Sequence, residues 1–176
     1  MRLPRLRPVV YVRFSPEQLE LRLVGTSARL VDSPEVAYDP RDQRVVLIGR
    51  SEHLQPGPAL EVGNGFAHPR VVIGAVELAE IALRHALERL LEKAGRRWRP
   101  RRARLRPDLV LHPLAVPEDG LSSFEYQGLV EFGKRCGGRR VRVWVGHELT
   151  DAEILAGNRQ TKRLLRRARE AHDSER

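Results

Sequence analysis

Cysteine is nearly absent from this 176-residue chain: the single Cys136 excludes an internal disulfide and a cysteine-based zinc site. No apolar run approaches the roughly 20 residues that a bilayer span requires, so no transmembrane helix is expected. The opening Met1-Arg-Leu-Pro-Arg-Leu-Arg-Pro8 is basic, but no uninterrupted apolar stretch or small-residue cleavage site follows, and a secretory signal is not expected. A cytoplasmic location follows as the expectation. Lysine is scarce, 3 against 29 arginines, which records compositional bias before it records a binding role. What remains is 41% apolar and 31% charged, enough for one core under a heavily solvated surface.

The net charge of +9 is unevenly placed. Residues 96–106 carry Arg96, Arg97, Arg99, Arg101, Arg102, Arg104 and Arg106 with no acid among them. Residues 159–169 carry Arg159, Lys162, Arg163, Arg166, Arg167 and Arg169, again with no acid. Outside these runs 19 basic residues face 23 acidic ones, so the body is mildly acidic and carries two basic appendages. Such an asymmetry bears on partners rather than on fold.

Along the chain, residues 9–14 are β-branched and aromatic and end at Ser15-Pro16. Leu19, Leu21 and Leu23 alternate with Glu20 and Arg22, the period-two pattern of a half-buried strand. Short strands are expected over 28–31, 36–38 and 44–48, which makes an antiparallel meander. Pro56, Gly57, Pro58, Gly63, Gly65 and Pro69 mark 53–69 as a loop excursion. From 74 to 93 the period becomes helical, with Leu83, Leu87 and Leu90 on one face and Glu77, Glu80, Arg84, Glu88 and Glu92 on another. A basic linker follows over 94–107. Residues 108–112 read as a buried strand, 123–136 as a helix opened by the capping box Ser122/Glu125, and 140–145 as a final strand. A second capping box, Thr150/Glu153, opens a helix that continues as a basic helical tail over 158–176. The order implies one α/β domain over 1–157: a single mixed sheet, antiparallel meander first and βαβαβ-type parallel strands later, with helices on its faces.

This order is that of the ribonuclease H-like half-domain of actin-like ATPases, and particular stretches resemble the N-terminal half of the bacterial rod-shape-determining MreB family. Ala28-Arg-Leu-Val-Asp-Ser-Pro-Glu-Val-Ala37 is similar to that family's strand–Pro–strand, and Arg44-Val-Val-Leu-Ile-Gly49 to its next strand and Gly turn. His68-Pro-Arg-Val-Val-Ile-Gly74 with 76–90 resembles the lead into its long helix; 108–113, 124–138 and 140–148 resemble the later strand, helix and strand. The resemblance implies a ribonuclease H-like mixed sheet and an association with the cell-shape cytoskeleton or a membrane-attached assembly.

The chain departs from the family where the family holds phosphate. An actin-like ATPase uses an Asp-x-Gly-Thr turn between its first two strands, whose N–H groups cradle phosphate while the Asp organises Mg²⁺ through water. Here that turn is Phe14-Ser-Pro-Glu17: the Asp is a Phe, Pro16 lacks an N–H, and Glu17 adds negative charge. The family's second half would supply the other phosphate loop, and this chain ends about where that half would begin. Glu125 stands near an acidic position of the family's nucleotide site, but its capping box already accounts for it. Neither ATP binding, a cofactor nor a small-molecule substrate is expected.

Other chemistry is sparse. The six histidines lack metal-ligand spacing, His112 reads as a hydrogen-bonding strand terminus, and Cys136 reads as a small helix-end residue. Gly63-Asn-Gly65 is a turn signal rather than a phosphate loop, and the carboxylates open to a two-metal nuclease, Glu17, Glu20 and Asp108, form no convergent set in sequence. A non-enzymatic protein acting by protein contact is therefore expected, with an acidic partner docking on Arg96, Arg97, Arg99, Arg101, Arg102, Arg163, Arg166 and Arg167. The competing reading is a nucleic-acid-binding protein on the same scaffold, with arginines on phosphates and Trp98 stacked on a base. The tail's apolar stripe of Leu164, Leu165 and Ala168 is too narrow for more than weak, peripheral contact with the inner membrane face.

Overall fold

Val9–Phe14 (β1) places Val10, Val12 and Phe14 on one side and Val9, Tyr11 and Arg13 on the other, and its position at the centre of a sheet buries both sides. The computed structural model describes residues 7–49, 60–95, 106–117 and 120–157. They fall into two compact units, Met1–Val145 and Gly146–Arg176.

In the first unit, β1 pairs antiparallel with Leu19–Leu23 (β2), which pairs antiparallel with Arg29–Asp32 (β3). On its other edge β1 pairs in parallel with Asp108–Pro113 (β7), which pairs in parallel with Arg140–Val143 (β8). The sheet order is β3-β2-β1-β7-β8. Every residue of β7 is buried, as its uninterrupted apolar run requires.

The meander does not continue into this sheet. Glu35–Asp39 (β4), Arg44–Ile48 (β5) and Glu61–Asn64 (β6) form a separate three-stranded sheet of order β5-β4-β6. The single sheet expected from the sequence is thus two, because Ser33-Pro34 breaks the chain between β3 and β4. The 53–69 excursion contains a strand, β6, hidden by the glycines and prolines around it. Gly65 is glycine for a physical reason: a Cβ there would lie 2.3 Å from the Ala79 backbone nitrogen, so this bend packs directly on the following helix.

That helix, Val76–Lys93 (α1), buries Ala79, Ala82, Leu83, Ala86, Leu87, Leu90 and Leu91, a continuous stripe at helical spacing. It packs on β2, β3 and β4, while Ser123–Arg135 (α2) packs on β7 and β8. Both contribute to one core with Val10, Val12, Phe14, Leu21, Leu109 and Leu111. The Ser122/Glu125 capping box is present: Ser122 Oγ accepts from the Glu125 N–H, and the Glu125 carboxylate accepts from the Ser122 N–H at 2.9 Å. The far end of α2 is held by Arg106, whose guanidinium donates to the carbonyls of Lys134, Gly137 and Gly138 at 2.8–3.1 Å. Arg106 therefore belongs to the fold and not to the exposed linker.

In the second unit Thr150 and Glu153 form the expected capping box of a helix over 151–157. His147 Nε2 lies 3.0 Å from Glu153. The Thr150 hydrogen bonds, and then His147, lower the Glu153 carboxyl from 4.5 to about 2.

Candidate functional site

At the carboxyl end of β1 and β7, where sheets of this kind bind their ligands, the chain forms the Ser15–Gln18 turn and the end of β7 near Leu114. The turn's own polar groups are consumed internally. Ser15 N–H donates to Gln18 O at 2.9 Å, Glu17 N–H donates to Ser15 Oγ, and Ser15 Oγ–H donates to the Glu17 carboxylate at 2.7 Å. Pro16 has no N–H, and its carbonyl accepts from Asn64 Nδ2 at 2.6 Å. Asn64 Oδ1 accepts from the Phe66 N–H, so this one side chain latches the end of β6 to the β1–β2 turn.

Phe14 is part of the core. It is 1% exposed and stacks, tilted, on Phe66 at 4.9 Å between ring centroids; Phe66 meets Phe132 of α2 edge-on at 6.2 Å. The position where the resembled family carries its phosphate-organising aspartate is here the end of a three-ring aromatic stack. A pocket of about 30 Å³ bounded by Phe14, Pro16, Phe66, Val72 and Ala115 is what remains at this end, less than the roughly 300 Å³ of an ordinary small-molecule site. These residues do not fit a nucleotide's phosphates: Ser15, Pro16 and Glu17 offer no spare N–H, and Glu17 repels the ligand.

The remaining sequence candidates separate in space. Glu20 lies opposite Arg13 and is held by Arg13 at 3.1 Å and Arg29 at 2.9 Å. Asp108 lies opposite Val9 and is held by Arg139 at 2.7 Å. Four residues of β1 part the two levels, about 13 Å at the rise of a strand. Glu20 and Asp108 are therefore apart and already paired, and among the described residues no group of three His, Cys, Asp or Glu is placed to hold a metal. His112 is buried and bonds Tyr11 Oη at 2.5 Å through Nδ1. Cys136 is buried, and desolvation pushes its thiol up to about 12, so it is chemically quiet. The eight arginines expected to bind a partner, Arg96, Arg97, Arg99, Arg101, Arg102, Arg163, Arg166 and Arg167, lie outside the described residues.

Two features were not foreseen. Asn64 was legible only as half of an Asn-Gly turn. Phe124 is 88% exposed beside an apolar groove of about 450 Å³ between 71–76 and α2. The clue was its phase: Phe124 lies about 140° around the helix from Leu129, off the stripe that anchors α2.

A five-stranded mixed sheet of order β3-β2-β1-β7-β8, with a small antiparallel sheet inserted before α1 and both helices packed on one core, is the actin-like, ribonuclease H-like ATPase fold. The chain is similar to the crystal structure of MreB 5 of Spiroplasma citri bound to AMPPNP, with a TM-score of 0.60 and 15% identity over 80% of this chain. It is similar also to MreB5 of Spiroplasma citri bound to ADP, with a TM-score of 0.58 and 13% identity over 81% of this chain. In each case the match covers 39% of the solved chain, so this chain spans about two-fifths of the length of those structures. No protein-family model and no curated protein sequence matches it. Among the described residues, no helix is long and apolar enough to cross a membrane.

Proposed function

We propose that this chain is a non-enzymatic, actin-like protein that works through protein–protein contact in a cell-shape cytoskeleton or an assembly at the inner face of the membrane. The observation that carries the reading is the closed β1–β2 turn: Phe14 is committed to the core, Pro16 has no N–H, and the N–H groups of Ser15 and Glu17 are spent within the turn. A fold of this class that cannot cradle phosphate keeps its surfaces and loses its chemistry. The likeness to MreB5 supports the cytoskeletal setting.

The basic runs supply the docking chemistry. Arg96, Arg97, Arg99, Arg101 and Arg102 in the first run and Arg163, Arg166 and Arg167 in the second match carboxylates on a partner, to which each guanidinium offers two parallel N–H donors. Affinity capture from the native cell should yield an acidic partner. Replacing Arg96, Arg97, Arg99, Arg101 and Arg102 by Gln should lower its recovery while leaving the unfolding midpoint unchanged, and Arg163, Arg166 and Arg167 test the second run separately. Undiminished recovery in both variants would remove the arginines from the account. Trp98 among the arginines favours nucleic acid as the second reading: binding that falls linearly in log–log with salt, with no protein partner recovered, would replace the first.

A further inference from the structure

The starts of the three parallel strands gather positive charge at one end of the larger sheet. Val9 of β1, Asp108 of β7 and Arg140 of β8 stand in one row of the register. The Asp108 N–H donates to the Pro8 carbonyl at 2.9 Å and the Arg139 N–H to the Pro107 carbonyl at 2.8 Å, so the alignment reaches the residues just before the strands. Neighbouring strands lie about 4.8 Å apart, which brings the chain at Arg7, Arg106 and Arg140 into a strip about 10 Å wide. The basic groups around these three are neutralised. Arg139 pairs with Asp108 at 2.7 Å, Lys134 with Glu131 at 2.6 Å and Arg135 with Glu80 at 2.7 Å. Arg106 donates only to the neutral carbonyls at the end of α2, which leaves its charge uncompensated. Among the described residues no carboxylate pairs with Arg7, Arg106 or Arg140. Arg7 and Arg106 are exposed, and Arg140 is half-buried.

We propose that Arg7, Arg106 and Arg140 together dock an extended acidic segment of a partner protein. The inference rests on the acidic-partner reading above and extends it from the first basic run, whose last residue is Arg106, onto the folded sheet. Each guanidinium offers paired N–H donors to one carboxylate. Side chains on one side of an extended peptide recur roughly every 6.6 Å, so alternate carboxylates reach neighbouring arginines. The surroundings choose among anions. Contact with a membrane needs an apolar anchor, and single-stranded nucleic acid needs rings on which bases stack. Among the described residues, no large exposed apolar side chain belongs to these strand starts. The exposed rings Phe124 and Tyr126 stand at the beginning of α2, whereas Arg106 holds its end.

Fluorescence anisotropy of a labelled glutamate-rich peptide, titrated with the intact chain, tests this. The peptide should bind at low salt and be released as salt is raised. Arg7→Gln combined with Arg140→Gln breaks no hydrogen bond or ion pair among the described residues, so the unfolding midpoint should stay unchanged. Binding should nevertheless weaken at least about threefold. A charge-matched control, Arg44→Gln with Arg70→Gln, removes two exposed arginines from other surfaces and should bind as the parent does. Equal losses in the two variants would reduce the effect to net charge and overturn the proposal. Parental affinity in the Arg7 and Arg140 variant would overturn it too, while leaving the first basic run in place. A parent that binds no acidic peptide would remove this inference and the acidic-partner reading together. Tighter binding of an oligothymidylate, weakened by the same two substitutions, would overturn the proposal in favour of nucleic acid.

Discussion

Phe14 shows how a single position can both remove one property and supply another. A core phenylalanine cannot be exchanged for an aspartate without cost. Phe14→Asp places a carboxylate at a site 1% exposed, stacked on Phe66 and without a cationic partner in that stack. The cost is the lost packing of a large ring, about 3–5 kcal/mol for truncation alone, plus the desolvation of a charge. The variant should therefore unfold far earlier than the parent in urea and gain no affinity for nucleotide; a variant of parental stability would show that the aromatic stack carries no weight. Gly65 is constrained from the backbone side. Gly65→Ala puts a methyl 2.3 Å from the Ala79 nitrogen and should cost at least about 1–3 kcal/mol, a drop of several degrees in midpoint by calorimetry. An unchanged midpoint would mean that β6 and α1 are not in the close contact described.

At the level of elements, α2 is fixed at its two ends as well as along its buried side. Ser122 and Glu125 secure the first turn, Arg106 gathers the last carbonyls, and between them α2 buries Leu129, Phe132 and Gly133. Arg106→Lys should destabilise the chain nearly as much as Arg106→Ala, by about 1 kcal/mol, because an ammonium cannot span three carbonyls as a guanidinium fork does. Equal stability of the lysine variant and the parent in denaturant would reduce the contact to simple charge. The two capping glutamates also make the helix starts acid-sensitive. Their folded pKa values lie below the ordinary 4.5, so their stabilising contribution is complete above pH 4.5 and is lost as pH falls through the folded value, about 2 for Glu153. Thr150→Ala removes the larger cause of that shift, and nuclear magnetic resonance titration should find the Glu153 carboxyl moved up toward 4.5. An unmoved midpoint would assign the shift to His147 instead.

These elements differ in how legible they were. The capping boxes and the α1 stripe are local patterns, and the sequence shows them because each is decided within a few residues. The split into two sheets is not local: it depends on which strands find each other, and β6 is too short and too rich in glycine to announce itself. The candidate site was legible as a defect, through Phe14, Pro16 and Glu17. Its positive content, the aromatic stack and the Asn64 latch, depends on residues more than 40 positions apart. Phe124 went unread because an exposed phenylalanine two residues past a cap resembles any other apolar residue until its neighbours are known.

The whole molecule joins an actin-like fold to a β1–β2 turn closed by apolar side chains and internal hydrogen bonds. Titration of the chain with Mg-ATP in a calorimeter tests that union most directly. The account predicts no saturable heat and no rise in the unfolding midpoint up to millimolar nucleotide, since no binding to the native state means no stabilisation by mass action. A one-to-one isotherm with micromolar affinity, about 8 kcal/mol of binding free energy, would contradict it.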